Sequence, residues 1–307
     1  MTSITLRAPS TIANLGPGFD IFSLALEQPY VELHMQVSDT KSITIKTDGC
    51  REDIPEDPEK NCAGLAIIDL LKELNSNTGV LIEPRKTITV GAGLGSSGAC
   101  ASASVYGLNR LLGLNLSINR MIEIASRGEI ASGSVAHADN VAGAMLGGFV
   151  IVKQYKPIEA VKIDVPEIPV VIGIMRKKQR TTRMLIPPTM DLDVIKEQLS
   201  LCARVVHAIM IGDIKELGNV INKDYISEPV RSRSIPGYSN IKRKLLDGGA
   251  FGCNVSGGGL SVFAICDDAR TKEIAEIMKQ ALAEEKIDSE TIITRASNHG
   301  IKEIASD

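Results

Sequence analysis

The stretch Gly91-Ala92-Gly93-Leu94-Gly95-Ser96-Ser97-Gly98 is nearly all glycine, alanine and serine. Residues 86–90 before it predict a short strand, and the residues after it, rich in Ala, Ser and Leu, predict a helix that runs to about Leu112. Small residues let backbone N–H groups approach an anion closely, and the positive end of the helix dipole adds to the attraction for phosphate. The stretch therefore predicts a phosphate-binding loop, and the alternative is a tight turn followed by an ordinary helix N-cap.

Three common nucleotide-binding patterns are excluded by what surrounds this loop. Residues 93–98 match G-x-G-x-x-G, but residues 99–128 predict two helices where the dinucleotide pattern needs a second strand that ends in an acidic residue. A Walker loop needs Lys and then Ser or Thr after its last glycine, and a protein kinase needs V-A-I-K and H-R-D segments. The chain has none of these segments, so these three nucleotide-binding folds are excluded.

Composition argues against nucleic acid and membranes as partners. The 307 residues include 34 Lys and Arg against 37 Asp and Glu, for a net charge of −3, so no overall cationic field attracts polyanions. Aromatic residues make up 3% without any Trp, which disfavours sites built on base stacking. The six cysteines form no C-x-x-C pair, and neither a signal peptide nor an apolar run of about 18 residues occurs. We predict a cytoplasmic protein without structural zinc.

Hydrophobic periodicity predicts an α+β chain with two domains. The first half is predicted to contain strands at 3–8, 31–37, 42–47 and 146–153 and helices at 62–74 and 117–128. The second half is predicted to contain strands at 168–175, 252–256, 261–266 and 290–295, a basic loop at 176–183, helices at 192–211, 239–247 and 269–286, and shorter helices to about 224. Prolines become frequent beyond Pro157, which places a boundary near residue 160. The predicted domains are 1–160 and 161–307.

Three more segments accompany the glycine loop along the chain. They are Pro9-Ser10-Thr11-Ile12-Ala13-Asn14-Leu15-Gly16-Pro17-Gly18-Phe19-Asp20, the region from Gly128-Glu129 to His137-Ala138-Asp139-Asn140, and Ser256-Gly257-Gly258-Gly259. In this order and spacing the segments resemble the motifs of the GHMP kinases, and most of all those of the homoserine kinases. The resemblance covers nearly the whole chain. It implies the two-domain GHMP kinase fold, with a ribosomal-S5-like N-terminal domain that binds ATP and a ferredoxin-like C-terminal domain.

The resemblance also implies ATP and Mg²⁺ as cofactors. The family holds the ATP phosphates on its glycine loop, which corresponds here to Gly91, Gly93, Leu94, Gly95, Ser96, Ser97 and Gly98. Ser97 and Glu129 match the two family positions that bind magnesium, and a hard cation that bridges phosphates accepts only one or two oxygen ligands from protein. Without the motif, Glu129 would be interpreted as a solvated carboxylate at a helix end.

The amino-acid side of the site follows from the same resemblance, which implies homoserine as the second substrate. Its binding residues would be Asn14, Asp20, His137, Arg183 and Arg231. An ammonium group needs an anion such as Asp20, and a carboxylate is best held by a bidentate guanidinium, which either arginine could supply. Taken singly, the two arginines would be interpreted as surface charges and His137 as a structural histidine.

Asn140 is the predicted catalytic residue, together with Glu129. Mevalonate and galactokinases place an aspartate at the position of Asn140, whereas an amide accepts no proton at neutral pH. We therefore predict that Asn140 orients the substrate hydroxyl for direct attack on the γ-phosphate, and the proton acceptor stays open.

The chain departs from the family motifs at two places, of which only the second bears on the substrate. Ala138 replaces the usual proline of His-Pro-Asp-Asn, and residues 256–261 lack the usual Pro-Thr pair of the third motif. The predicted function is ATP-dependent phosphorylation of homoserine in threonine biosynthesis. The alternatives are a GHMP kinase for another small alcohol, of the mevalonate or shikimate type, and a catalytically silent homologue that binds a metabolite. Oligomeric state, with a homodimer as one arrangement, and feedback regulation are left open by the sequence.

Overall fold

A computed structural model describes residues 2–48, 50, 54–86, 91–131, 137–175, 186–258 and 261–304. In chain order, the elements of the first part are β1 (Ser3–Ala13), β2 (Phe22–Ser38), β3 (Ile43–Ile45), α1 (Cys62–Glu73), β4 (Gly79–Lys86), α2 (Ser96–Leu112), α3 (Ile118–Gly128), α4 (Ala138–Leu146), β5 (Phe149–Tyr155) and β6 (Ile158–Ile163). Those of the second part are β7 (Pro169–Met175), α5 (Leu192–Ile211), α6 (Ile214–Ile221), α7 (Glu228–Arg231), α8 (Tyr238–Asp247), β8 (Gly252–Val255), β9 (Ser261–Ile265), α9 (Thr271–Glu284), β10 (Ser289–Arg295) and β11 (Lys302–Ile304).

The first sheet is built around β2, which is long enough to serve several partners. It pairs with β1 along most of its length, with β4 at residues 31–38 and with β5 at residues 22–24. The sheet runs β11-β1-β2-β4-β3, and β6 extends it beyond β5. Helices α1 to α4 contribute buried side chains to the same core as the strands, including Ile67, Leu108, Ile122 and Val141. One apolar face of the sheet is thus covered by helices.

The second sheet has the order β10-β7-β9-β8, with every neighbouring pair antiparallel. Its strands and helices follow the β-α-β-β-α-β sequence of the ferredoxin-like motif, with several helices in the first crossover. Strand β7 is buried along its whole length because it separates two cores. Val170, Ile172 and Ile174 belong to the core of the first sheet, whereas Val171 and Met175 face the core formed with α8 and α9.

The last described strand returns to the first sheet. Strand β11 pairs antiparallel with β1, with Thr5 opposite Ile304 and Arg7 opposite Lys302. The second sheet is therefore inserted between β6 and β11 of the first. The division into domains at residue 160 stays a prediction.

Most predicted elements are confirmed, and the differences have physical causes. Helix α4 lies between Gly128 and Phe149, in a stretch rich in Gly and Ala where no helix was predicted. Strand β2 begins at Phe22, well before residue 31, because residues 22–26 are buried on both faces and show no alternation. Strand β4 was not predicted before residue 86; it spans Gly79–Lys86, and residues 87–90 of the strand predicted at 86–90 lie outside the described residues, as does the whole basic loop at 176–183. Strands β6 and β11 were missed by the prediction.

Candidate functional site

The glycine loop ends in the N-terminus of α2, and its conformation requires glycine. Gly91, Gly93 and Gly95 have φ values of 78°, 79° and 67°, in the left-handed region that favours glycine. A Cβ at Gly95 would overlap Thr11 Oγ1 and lie 2.8 Å from Asn140 Oδ1. The side chains of Ala92 and Leu94 are buried in the core and anchor the loop. The first N–H groups of α2 thus stand at a small-residue surface, which is the arrangement that binds phosphate.

The third glycine segment contacts this loop from the second sheet. Ser256 Oγ donates a hydrogen bond to the carbonyl oxygen of Gly93 at 2.8 Å. The N–H of Gly257 donates to the carbonyl oxygen of Ala13 at 3.4 Å, and the N–H of Thr11 donates to that of Leu94 at 3.1 Å. Strand β1, the glycine loop and the second sheet therefore meet at one place.

Ser97 and Glu129 form an oxygen pair beside the loop. Ser97 Oγ donates to Glu129 Oε2 at 3.1 Å, and Glu129 is buried at the end of α3. A hydroxyl and a carboxylate at one position are the hard oxygen donors that magnesium accepts from protein. The two side chains fit the metal role that the resemblance implies for them.

Asn140 lies in the first turn of α4 and contacts both β1 and the glycine loop. Thr11 Oγ1 donates to Asn140 Oδ1 at 2.7 Å. A Cβ at Gly98 would lie 3.2 Å from Asn140 Cβ, so α4 packs closely on the first turn of α2. The backbone N–H of Asn140 donates to Asp139 Oδ1 at 2.8 Å. The Asn140 side chain is thus held within contact distance of the loop that would carry the phosphates.

The turn that follows β1 carries Asn14 and Asp20 in left-handed conformations. Their φ values are 70° and 61°, which Asn and Asp tolerate better than other non-glycine residues. The N–H of Asp20 donates to Asn14 Oδ1 at 3.0 Å, and Tyr155 donates its hydroxyl proton to the Asp20 carbonyl oxygen. His137 Nδ1 lies 4.0 Å from Asp20 Oδ1. These contacts bring three of the predicted substrate residues together.

Arg231 is a buried guanidinium at the end of α7, only 5% exposed. Its Nη1 donates to the Gly257 carbonyl oxygen at 2.6 Å, and its guanidinium carbon lies 5.4 Å from the centre of the Phe19 ring. Burial, and after it the nearby carboxylate of Asp20, raise the pKa of Asp139 to about 7, although the hydrogen bond from the Asn140 N–H and the charge of Arg231 act in the opposite direction. Asp139, the neighbour of Asn140, thus interacts with both the carboxylate of Asp20 and the guanidinium of Arg231.

A buried amide ties the Asp20 turn to the segment that carries Arg231. Gln198 Nε2 donates to the Pro17 carbonyl oxygen at 2.6 Å and to Asp224 Oδ1 at 2.9 Å. The same carboxylate of Asp224 accepts the backbone N–H groups of Ile226, Ser227 and Glu228 at the start of α7. Gln198 therefore joins β1's turn, α5 and α7.

The structure brings together nearly all the residues that the sequence singled out. Arg183 lies outside the described residues, so its assignment is neither supported nor opposed. The sequence prediction missed roles for Thr11, Gln198 and Ser256. Thr11 and Ser256 stand inside quoted motifs, but their partners are distant in the chain, and nothing local marks Gln198. Within the described ranges no group of three or more His, Cys, Asp or Glu side chains could hold a metal, and no helix is long and apolar enough to cross a membrane.

Comparison with known proteins adds an independent observation. The protein-family model described as "GHMP kinases N terminal domain" matches residues 61–148. The family model described as "GHMP kinases C terminal" matches residues 205–284. The chain belongs to the GHMP kinase family. The first match contains the glycine loop, Glu129 and Asn140, and the second contains Arg231 and Ser256.

Homoserine kinases are among the proteins most similar to this GHMP kinase. A homoserine kinase of Methanococcus vannielii is 34% identical over 91% of this chain and 93% of the relative, and one of Methanopyrus kandleri is 36% identical over 91% of each. The crystal structure of homoserine kinase from Cytophaga hutchinsonii is 33% identical and matches 99% of this chain and 98% of that one, with a TM-score of 0.91. The predicted α+β fold, family and kinase class of this GHMP kinase are confirmed, and ATP is the phosphate donor of the family.

Proposed function

We propose that this GHMP kinase transfers the γ-phosphoryl group of ATP to the side-chain hydroxyl of L-homoserine, giving O-phospho-L-homoserine and ADP, as a step of threonine biosynthesis. The names of its relatives support this. The observation that carries it is the charge arrangement beside Asn140, where Asp139 interacts both with the carboxylate of Asp20 and with the buried guanidinium of Arg231. A zwitterionic amino acid needs both signs of charge within one site, since its ammonium and carboxylate must each find a partner.

ATP would be held at the N-terminus of α2. Its phosphates suit the backbone N–H groups of residues 91–98, because the left-handed glycines leave the loop backbone open to close approach. Ser97 and Glu129 would hold Mg²⁺, whose chemistry when bound is to neutralise charge on the phosphates.

The residues of the chain would act by positioning. Asp20 and His137 would receive the ammonium end of homoserine and Arg231, with Arg183, its carboxylate, while Asn14 holds the Asp20 turn in shape. The hydroxyl oxygen attacks the γ-phosphorus, the bond from phosphorus to the ADP oxygen breaks, and the hydroxyl proton leaves to a phosphate oxygen or to water. Asn140 orients that hydroxyl and takes no proton.

The alternatives differ from homoserine in the charges they present. Mevalonate and shikimate have a carboxylate but no ammonium, so they would leave Asp20 and Asp139 facing an unbalanced negative group. A silent metabolite-binding protein has no use for the Ser97–Glu129 oxygen pair, which serves a metal on transferred phosphates.

The test is ADP release measured with ATP, Mg²⁺ and each of homoserine, mevalonate, shikimate and galactose, with the phosphorylated product identified by mass. We expect turnover with homoserine and its loss on chelation of the metal. Faster turnover, as kcat/KM, with another alcohol would reject homoserine as the substrate. ADP release with none of the four alcohols would favour the silent homologue.

Two further predictions, the compartment and the oligomeric state, belong to the proposal. We propose the cytoplasm as the compartment and a homodimer as the assembly, and sedimentation of the purified protein tests the second.

A further inference from the structure

Thr11 is a fully buried residue of β1 that is held by its backbone, its methyl group and its hydroxyl. Its backbone N–H donates to the Leu94 carbonyl oxygen, which ties it to the glycine loop. Its methyl group lies against α4, where a Cβ at Gly143 would come within 2.9 Å of Thr11 Cγ2. Its hydroxyl donates to Asn140 Oδ1 at 2.7 Å. The side chain has little freedom to rotate away from Asn140.

We infer that Thr11 is a positioning residue that holds the Asn140 amide with Oδ1 toward β1 and Nδ2 toward the attacking hydroxyl. A carboxamide presents an acceptor oxygen at one end and two N–H donors at the other. Because Oδ1 of Asn140 accepts the Thr11 proton, Nδ2 is the end offered to the substrate. The inference rests on the proposed function in one respect only, which is that the substrate attacks through a hydroxyl.

The orientation has a consequence for the hydroxyl of the substrate. A hydroxyl oxygen has two lone pairs and one proton. An N–H of Asn140 would bind one lone pair, the second attacks the γ-phosphorus, and the proton points away from Asn140 to a phosphate oxygen or to water. If the amide were reversed, Asn140 Oδ1 would accept a hydrogen bond from the substrate hydroxyl. No N–H of Asn140 would then bind a lone pair of that hydroxyl and orient the other toward the γ-phosphorus. Thr11 therefore acts on the rate of transfer rather than on substrate affinity.

The experiment compares three variants in steady-state kinetics. Thr11→Val keeps the shape and removes the hydroxyl, and we expect kcat to fall about 10-fold with the KM values for ATP and alcohol within about 2-fold of wild type. Thr11→Ser restores the hydroxyl and should recover most of kcat. Ser102→Ala is the matched control, since Ser102 is also buried and donates to α4, to the Val141 carbonyl oxygen at 3.0 Å. It should lower the melting temperature and leave kcat within about 2-fold.

A double-mutant cycle separates positioning from a general structural effect. If Thr11 acts through Asn140, Thr11→Val should change kcat by less than about 2-fold in an Asn140→Ala background. A wild-type kcat for Thr11→Val would overturn the inference. So would an equal loss with and without Asn140, or a loss that Ser does not restore.

Failure of the inference and failure of the proposed function give different results. The cycle is run on whichever alcohol of the panel the wild type phosphorylates, because every acceptor attacks through a hydroxyl. Turnover of another alcohol with the expected cycle would reject homoserine and keep the role of Thr11. No turnover with any alcohol would overturn both.

Discussion

Asp139 carries a carboxyl group that is 2% exposed and sits next to another carboxylate. Burial is the main cause that raises its pKa, from 3.8 to about 7, so near neutral pH this carboxyl is only partly ionised. The folded protein then holds a proton that the unfolded chain has already released. Binding of a substrate cation nearby would favour the ionised form, which couples the charge of Asp139 to occupancy of the site.

The first prediction concerns stability and pH. Between about pH 4 and 7 the folded state binds more protons at Asp139 than the unfolded state, so this group makes the free energy of unfolding fall as pH rises. Asp139→Asn should therefore equal wild type near pH 4 and exceed it by up to a few kcal/mol at pH 8. Urea unfolding at both pH values measures this. Asp164→Asn, at an exposed position, should show no such difference, and an Asp139→Asn protein less stable than wild type at pH 8 would contradict the prediction.

The second prediction concerns Asp20. Asp20→Asn keeps the size of the side chain and removes the charge expected to bind the ammonium of homoserine. The KM for homoserine should rise by about 10- to 100-fold, as for loss of a charged hydrogen-bond partner, while the KM for ATP stays within about 2-fold. Initial-rate kinetics with each substrate varied in turn measure both values. An equal rise in the KM for ATP would show that Asp20 serves the phosphate side instead.

At the scale of elements, α2 begins and ends on a left-handed glycine. Gly95 is its N-cap with φ 67°, and Gly113 is its C-cap with φ 63°. The two residues share a backbone conformation but differ in surroundings, because a Cβ at Gly113 would meet nothing within 4 Å. The helix thus contains its own control for the effect of conformation alone.

The third prediction uses this pair. Gly113→Ala should lower the free energy of unfolding by about 1–2 kcal/mol through backbone strain and leave kcat unchanged. Gly95→Ala adds the overlap with Thr11 and Asn140, so we expect a larger loss of stability and a kcat lowered more than about 10-fold. Chemical unfolding and initial rates measure both effects. A Gly95→Ala enzyme with the kcat of Gly113→Ala would show that the loop tolerates a side chain there.

A helix or strand could be predicted from the sequence where its buried residues recur with a regular period. Helix α5 was predicted at 192–211, its observed bounds, because its apolar residues recur on one face. Helix α4 was missed, since its Ala and Gly residues give no amphipathic pattern and its position depends on close packing against α2. Strand β11 was missed because three residues, none of them buried, carry no periodic signal.

The site divides in the same way. Its charged residues Glu129, Asp20 and Arg231 were assigned through the resemblance to the family motifs, and their roles stay predictions. The function of Thr11 could not, since a threonine in a strand looks like any β-branched residue until its partner 129 residues away is known. The raised pKa of Asp139 depends mainly on its burial and then on Asp20, which is remote in the chain, and no local pattern of the sequence indicates either.

At the scale of the whole molecule, the site is held between the two sheets by a few polar contacts. Ser256 reaches the glycine loop from one side, and Gln198 reaches Pro17 from another. Gln198 is 4% exposed, and its amide oxygen also accepts the N–H of Tyr225 at 2.8 Å. Both ends of this amide are satisfied, so the relative position of the Asp20 turn and α7 depends on it.

The fourth prediction separates this link from a contact away from the site. Gln198→Met should raise the KM for homoserine about 10-fold and lower the free energy of unfolding by roughly 1–3 kcal/mol, with the KM for ATP unchanged. Asn298 makes a comparable pair of bonds with the backbone of Val165, both at 2.8 Å. Asn298→Leu should lower stability by a similar amount and leave both KM values alone. Matching changes in the KM for homoserine in the two variants would mean that Gln198 acts through stability only.

The pairing of β11 with β1 sets an order in time for a chain that leaves the ribosome from its amino terminus. Strands β1 to β6 can pair as they emerge, but the outer edge of β1 receives its partner only after the entire second sheet has been synthesised. Until then β1 is an open edge that a neighbouring nascent chain can join. An expression fragment that ends at residue 160 would keep that edge open permanently, and its yield would depend on adding residues 302–304 back by a linker.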